Sequence, residues 1–181
     1  VPAARPLDGH LVLVGLPGAG KSTVGRAVAR ALGCEFLDFD TEIARRVGMS
    51  VADYFAAHGE PAFRALEVAL TRELVGRAPM VLAPGGGWVT NAGVMELLRP
   101  PGRIIHLRVT PDVALARLAR ARAVRPLLAQ ANPAVTIRAL WEARQPLYER
   151  ADAEVNVEVV DGQQLVDSVL ALAHGGGSGV G

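Results

Sequence analysis

The sequence predicts an α/β sandwich, with helices on both faces of a mostly parallel five-stranded sheet. Two observations carry that expectation. Short apolar, β-branched runs alternate along the chain with stretches whose apolar residues recur at helical spacing, the pattern of strands joined by crossover helices. A glycine-rich loop, Gly15-Leu16-Pro17-Gly18-Ala19-Gly20-Lys21-Ser22, separates the first run from the first amphipathic stretch.

Taken in order, His10–Gly15 (HLVLVG) reads as a fully buried strand, and Lys21–Leu32 as a helix that Gly33 stops. Phe36 and Leu37 form a brief second strand. Asp40–Val47 and Val51–Ala57 are expected to be helical, the latter with Ser50 as N-cap and Asp53 three residues on. A longer helix spans Pro61–Gly76. Further strands are expected at Met80–Ala83, Arg103–Val109 and Ala153–Val160, and further helices at Ala92–Leu98, Pro111–Ala121, Thr136–Glu149 and Gly162–Ala173. Ala121–Pro133, which mixes Arg, Pro and polar residues, is the candidate mobile lid.

Composition sets the outer limits. The 181 residues are half hydrophobic, enough for one compact domain with a sizeable core. The expected layout is a single domain over residues 1–174, with substrate-binding helices at about 40–76, a lid at about 117–134 and a flexible glycine-rich tail at 175–181. A net charge of +1 argues against a nucleic-acid partner, and the arginines near the lid have no interleaved aromatics. No apolar run approaches the roughly 20 residues of a membrane span. The lone Cys34 fits a reducing cytoplasm. No apolar helix face is left over, so a monomer is expected.

The glycine-rich loop matches G-x-x-x-x-G-K-[ST] at every fixed position, between a strand and a helix. Its glycines let backbone N–H groups turn inward around phosphate oxygens, and the helix N-terminus adds unpaired donors. Lys21 reaches the terminal phosphates of a nucleotide, and the Ser22 hydroxyl can ligate Mg²⁺. The competing reading, a glycine turn with a solvent-exposed lysine, fails on composition: Lys21 is the only lysine in the chain.

Four further patterns cluster around that loop. Asp38 and Asp40 stand at the end of the second strand, where residues i and i+2 share a face. One suits water-mediated support of Mg²⁺ and the other acceptance of a hydroxyl proton, although either can simply cap the next helix. Arg64 and Glu67 stand at i, i+3 on a helix, either as a surface ion pair or as a carboxylate-held arginine that grips an anionic substrate. Gly85-Gly86-Gly87 follows the third strand, as a floppy loop or as a backbone that a ligand approaches closely, with Trp88 as a pocket wall or plain packing. Arg125 in the lid can close over a transferring phosphate, and Arg144 falls on the next helix.

Together these motifs resemble the shikimate kinase family: the phosphate loop, Phe36–Asp40 (FLDFD), Gly59–Glu67 (GEPAFRALE), Gly85–Gly87, and Arg125–Leu128 (RPLL) leading to Arg144–Tyr148 (RQPLY). The resemblance runs from about Leu11 to Asp152, and more loosely to about Ala173. It implies the P-loop, nucleoside-monophosphate-kinase-like fold with strand order 2-3-1-4-5. It also implies ATP-dependent phosphorylation of the shikimate 3-hydroxyl with Mg²⁺. By the same resemblance, Gly18, Ala19, Gly20, Lys21, Ser22 and Thr23 bind ATP, with Arg120 or Arg122 near adenine and Arg125 at the γ-phosphate. Ser22 and Asp38 serve the metal. Lys21, Asp40 and Arg125 act in catalysis, and Asp40, Arg64, Gly86, Gly87 and Arg144 bind shikimate. The chain departs from the family at Pro84, where a small hydroxylated residue is expected, and at Val157–Gly162, which lacks a polar run. The alternatives are a gluconate kinase, a nucleoside monophosphate kinase, which needs a base-binding insert, and a non-catalytic sensor, which is expected to have lost several of these side chains.

Overall fold

A computed structural model describes residues 5–121 and 131–175. Its centre is strand β1 (Leu11–Val14), in which Leu11, Val12 and Leu13 are wholly buried and Val14 is nearly so. Burying one such side chain contributes about 1.5–3 kcal/mol, so this run can only be a central strand. Four parallel strands join it: β2 (Phe36–Asp38), β3 (Val81–Ala83), β4 (Arg103–Arg108) and β5 (Ala153–Asn156), in the order β2-β3-β1-β4-β5.

Parallel neighbours need crossovers, and helices supply them. Helix α1 (Lys21–Leu32) follows β1. Helices α2 (Phe39–Val47), α3 (Val51–His58) and α4 (Glu60–Leu74) lie between β2 and β3. A 3-10 turn (Trp88–Thr90) and the short α5 (Val94–Leu98) precede β4. Helices α6 (Pro111–Arg120) and α7 (Pro133–Tyr148) precede β5, and α8 (Gly162–Leu172) follows it. The register sets Asp38 beside Ala83 and Val14 beside His106. The loops after β1, β2 and β3 therefore leave the sheet at one edge.

Local chemistry explains where elements start and stop. The Ser50 hydroxyl caps α3 by accepting from Asp53 N–H at 3.0 Å. Helix α7 begins three residues earlier than the periodicity predicts. Asn132 accepts from Val135 N–H at 3.2 Å, and Pro133 takes the first helical position, where its missing N–H costs nothing. Strand β5 is shorter than predicted. The Asn156 side chain accepts from Glu158 N–H at 3.0 Å and turns the chain away, leaving Val159 74% exposed. His10, just ahead of β1, joins three elements: Nε2 donates to the Leu74 carbonyl at 2.8 Å, and Nδ1 accepts from Met80 N–H at 3.2 Å.

Helix α2 is tied to α4 by charge. Glu42 accepts from Arg45 and Arg46, and Arg46 also reaches Glu73 at 2.8 Å. Hydrogen bonds from Arg45 and then Arg46 hold the Glu42 carboxyl down at about 2, against an ordinary 4.5. A depressed carboxylate contributes stability that is complete above its ordinary value and lost as pH falls toward the depressed one. Thermal melts between pH 7 and 2 should therefore show a shallower acid decline for Glu42→Gln than for the parent between about pH 4.5 and 2. Parallel declines would place the acid sensitivity elsewhere. The arginines are exposed, so the difference is small.

Candidate active site

The phosphate loop runs from the end of β1 into α1, pinned from below by Leu16 and Ala19, which are buried in the core. Gly20, immediately before the helix, has φ +89°, a left-handed conformation that favours glycine. The Lys21 ammonium donates to the carbonyls of Gly15 at 2.7 Å and Leu16 at 3.0 Å, so it lies folded over the loop. A cavity of about 570 Å³ opens beside it. Pro17, Gly18, Gly20, Lys21, Ser22 and Thr23 line one side, and Asp38, Asp40, Thr41 and residues 83–86 the other.

The aspartates reach this cavity by a route the strand pattern does not predict. Helix α2 starts at Phe39, which is wholly buried, so Asp40 stands in the first helical turn and not on the strand. Asp38 is the cap: its Oδ1 accepts from Thr41 N–H at 3.0 Å. Its Oδ2 accepts a short hydrogen bond from the Ser22 hydroxyl. One carboxylate thus ends a helix and touches the phosphate loop at once. Asp40 is exposed in the cavity, across from Gly85, whose absent Cβ would stand 3.1 Å from Asp40 Oδ1.

Arg64 does not belong to a surface ion pair. Its Nη1 donates to Glu67 Oε2 at 2.7 Å, and its Nε and Nη2 donate to Glu60 Oε1 at 3.2 and 2.9 Å. Phe55 of α3 and Phe63 of α4 flank it, with guanidinium-to-ring distances of 5.9 and 5.6 Å. Burial pulls the guanidinium toward neutrality, but Glu67 and Glu60 outweigh it and keep Arg64 charged. Glu67 is wholly buried, and that burial pushes its carboxyl up; Arg64 and Asn91 oppose the shift. Asn91 donates to Glu67 Oε2 at 3.1 Å, while Glu67 Oε1 has no partner among the described residues. Trp88 proves to be packing with a purpose: its Nε1 donates to Thr71 at 2.9 Å, and the Thr71 hydroxyl donates to the Glu67 carbonyl at 2.8 Å.

The triple glycine is where these parts meet. A Cβ on Gly87 would strike the Arg64 guanidinium, and one on Gly86 would stand 3.0 Å from Arg144 Nη1. Consecutive glycines thus bring two arginines from different helices against one loop, Arg144 arriving buried from α7. A floppy loop is ruled out by these contacts and by the Tyr148 hydroxyl, which donates to the Gly86 carbonyl at 2.7 Å.

On the far wall of the cavity stands Arg117, with Leu118 and Ala121; Arg120 is exposed and does not line it. Arg117 Nη2 also donates to the Val157 carbonyl at 3.3 Å, which links α6 to the segment after β5. Arg125, Arg122 and most of the expected lid lie outside the described residues. Sequence reasoning passed over Asn91, Thr71 and His106, and read Arg117 as a solvated basic residue. Asn91 alone carried a local signal, as a short polar side chain just after the glycine run.

The donor set suits Mg²⁺. Ser22 Oγ and Asp38 Oδ2 are hard oxygens already in contact, and Mg²⁺ takes most other ligands from water and substrate phosphates. Among the described residues no group of three or more His, Cys, Asp or Glu could form a protein cage for a metal.

A phosphate loop with its lysine, a carboxylate across the cleft and two arginines held against one glycine run define a small-molecule phosphotransferase of the P-loop kinase class. The comparisons make the assignment narrower. The profile of the family described as shikimate kinase matches residues 17–173. A shikimate kinase of Bordetella pertussis is 43% identical over 171 residues, 93% of this chain and 81% of that protein. One from Nitrobacter winogradskyi is 42% identical over 91% of this chain and 76% of that protein. The solved shikimate kinase from Acinetobacter baumannii in complex with shikimate superposes with a TM-score of 0.83 at 38% identity, covering 91% of this chain and 92% of that one. The chain belongs to the shikimate kinase family. A gluconokinase from Sinorhizobium meliloti, at 21% identity and a TM-score of 0.61, shares the fold.

Removing the buried half of the Arg64 pair should be costly. Glu67→Ala leaves Arg64 with the exposed Glu60 alone and should lower unfolding free energy by about 2–3 kcal/mol, below the full cost of breaking a buried pair. Glu67→Gln keeps an acceptor for Arg64 and should lose about 1 kcal/mol. Urea denaturation of both variants decides this; equal losses would mean that the charge, which both variants remove, is what matters at Glu67, and that the acceptor and volume kept by glutamine do not.

Proposed function

We propose that this chain transfers the γ-phosphoryl group of ATP to the 3-hydroxyl of shikimate, giving 3-phosphoshikimate and ADP in aromatic amino-acid biosynthesis. The observation that carries the reading is the placement of Arg64 and Arg144 against Gly87 and Gly86, in the same glycine run whose Gly85 faces Asp40 and whose Gly85 and Gly86 line the cavity of the phosphate loop. Two guanidiniums make a carboxylate clamp. A carboxylate within that cleft supplies the base that an attacking hydroxyl needs.

In this reading Lys21 leaves the Gly15 and Leu16 carbonyls for the terminal phosphates, and the amides of Gly18, Ala19, Gly20, Ser22 and Thr23 cradle them. Ser22 and Asp38 would hold Mg²⁺, directly and through water. The bound ion supplies charge neutralisation on the phosphate oxygens. Arg64 and Arg144 seat the shikimate carboxylate, and Gly86 and Gly87 meet its ring hydroxyls. Asp40 takes the proton as the hydroxyl oxygen bonds to phosphorus and the bond from phosphorus to the bridging oxygen of ADP breaks. Arg125 is assigned to the developing charge on the transferred group. Arg117, which lines the cavity, joins Arg120 or Arg122, implied near adenine by the family resemblance, as a candidate on the nucleotide side. The setting is cytoplasmic on this reading. Among the described residues no helix is long and apolar enough to cross a membrane.

Release of ADP, followed with shikimate, gluconate and CMP offered separately, tests the substrate. Turnover is expected with shikimate, and silence at millimolar shikimate would defeat the proposal. Turnover with gluconate alone would replace it with the gluconate reading.

The base is tested by Asp40→Asn, which should cut kcat by about 100-fold or more while ATP KM stays within about twofold. Equal loss in both would make Asp40 a structural residue. Lys21→Met should depress kcat as well, since it removes the one side-chain cation of the phosphate loop.

A further inference from the structure

Tyr148 sits one helical turn beyond Arg144 on α7 and is 1% exposed. Its hydroxyl donates to the Gly86 carbonyl at 2.7 Å. Its ring stacks on His106 of β4, with centroids 4.8 Å apart and planes 19° from parallel. His106 is held in turn: Nδ1 lies 3.1 Å from Glu154 Oε2, and Glu154 Oε1 accepts from Arg108 Nε at 2.7 Å. In register, His106 stands beside Val14, the last residue of β1 before the phosphate loop. A side chain braced against the strands that carry the phosphate loop thus reaches into the loop that meets the arginine clamp.

The carbonyl that Tyr148 holds is no ordinary one. A trans peptide points its C=O and its N–H in opposite directions, so fixing the Gly86 carbonyl toward α7 fixes the Gly87 N–H away from it. Between two glycines a peptide unit can turn over at little steric cost. Something outside the loop must therefore choose its orientation. Burial pushes the Tyr148 phenol up to about 12, against the opposing pull of Arg144, so the group stays a neutral donor at ordinary pH.

We propose that Tyr148 is a positioning residue for the acceptor substrate, its hydroxyl holding the Gly86–Gly87 peptide in the orientation that receives the hydroxy acid. The proposal rests on the kinase reading above for its substrate, and on hydrogen-bond geometry alone for the tether. A purely structural tyrosine, which only satisfies its own buried hydroxyl, predicts something different: loss of stability with no preference between substrates.

Tyr148→Phe removes the hydroxyl and keeps the stacked ring. Steady-state kinetics should show shikimate KM raised by about tenfold, the scale of one hydrogen bond, with ATP KM within about twofold. In the ligand-free protein, the Gly87 amide ¹⁵N resonance should shift more than that of any glycine outside residues 85–87. A Gly87 resonance that stays in place would overturn the tether. So would equal rises in both KM values accompanied by a lower Tm. If the parent protein fails to phosphorylate shikimate, the kinase reading falls, and the Gly87 resonance still decides whether Tyr148 holds the peptide.

Discussion

Parallel pairing around β1 is the constraint on which the rest depends. With β3 on one side of β1 and β4 on the other, every return must cross a face of the sheet, so the helices are obligatory and the strand ends share an edge. That edge collects the phosphate loop after Val14, the aspartates after Leu37 and the triple glycine after Ala83. None of these segments is near the others in sequence. Their shared cavity follows from register, with Asp38 beside Ala83 and β1 beside β3.

The charges at that edge are arranged by burial. Glu67 is wholly inside, so Arg64 has a partner that water cannot compete for, while Glu60 and two phenylalanine rings limit where the guanidinium can go. An arginine held in this way keeps little conformational entropy to lose in any further contact. The cost is borne at Glu67, whose second oxygen has no partner among the described residues. Asn91, Thr71 and Trp88 offset part of it by locking α4 to the 3-10 turn.

Much of this was legible in the sequence, and the boundary has physical causes. The phosphate loop, the Ser50 cap and α1 with its Gly33 stop were readable because each depends on residues three or four apart. Sequence reasoning brought both aspartates to the right edge and began the next helix at Asp40, but gave the two carboxylates a common strand face. What decides it is the burial of Phe39, a tertiary fact. Strand β5 read too long because the Asn156 turn competes with a β-favourable run of valines. The contacts of Tyr148, His106 and Asn91 were out of reach for a related reason: their partners lie 62, 48 and 24 positions away, and no local pattern says what each side chain meets. Arg117 and Arg120 differ by three positions on one helix, and only the packing of α6 tells which one faces the cleft.

The solitary lysine has a consequence beyond phosphate binding. Apart from a chain terminus, a reagent that acylates primary amines finds a single side chain in these 181 residues. That amine is held against two backbone carbonyls on the rim of the nucleotide cleft. Amine labelling, usually scattered over a protein surface, is here confined to one address. A probe attached there would report directly on whether the cleft is filled.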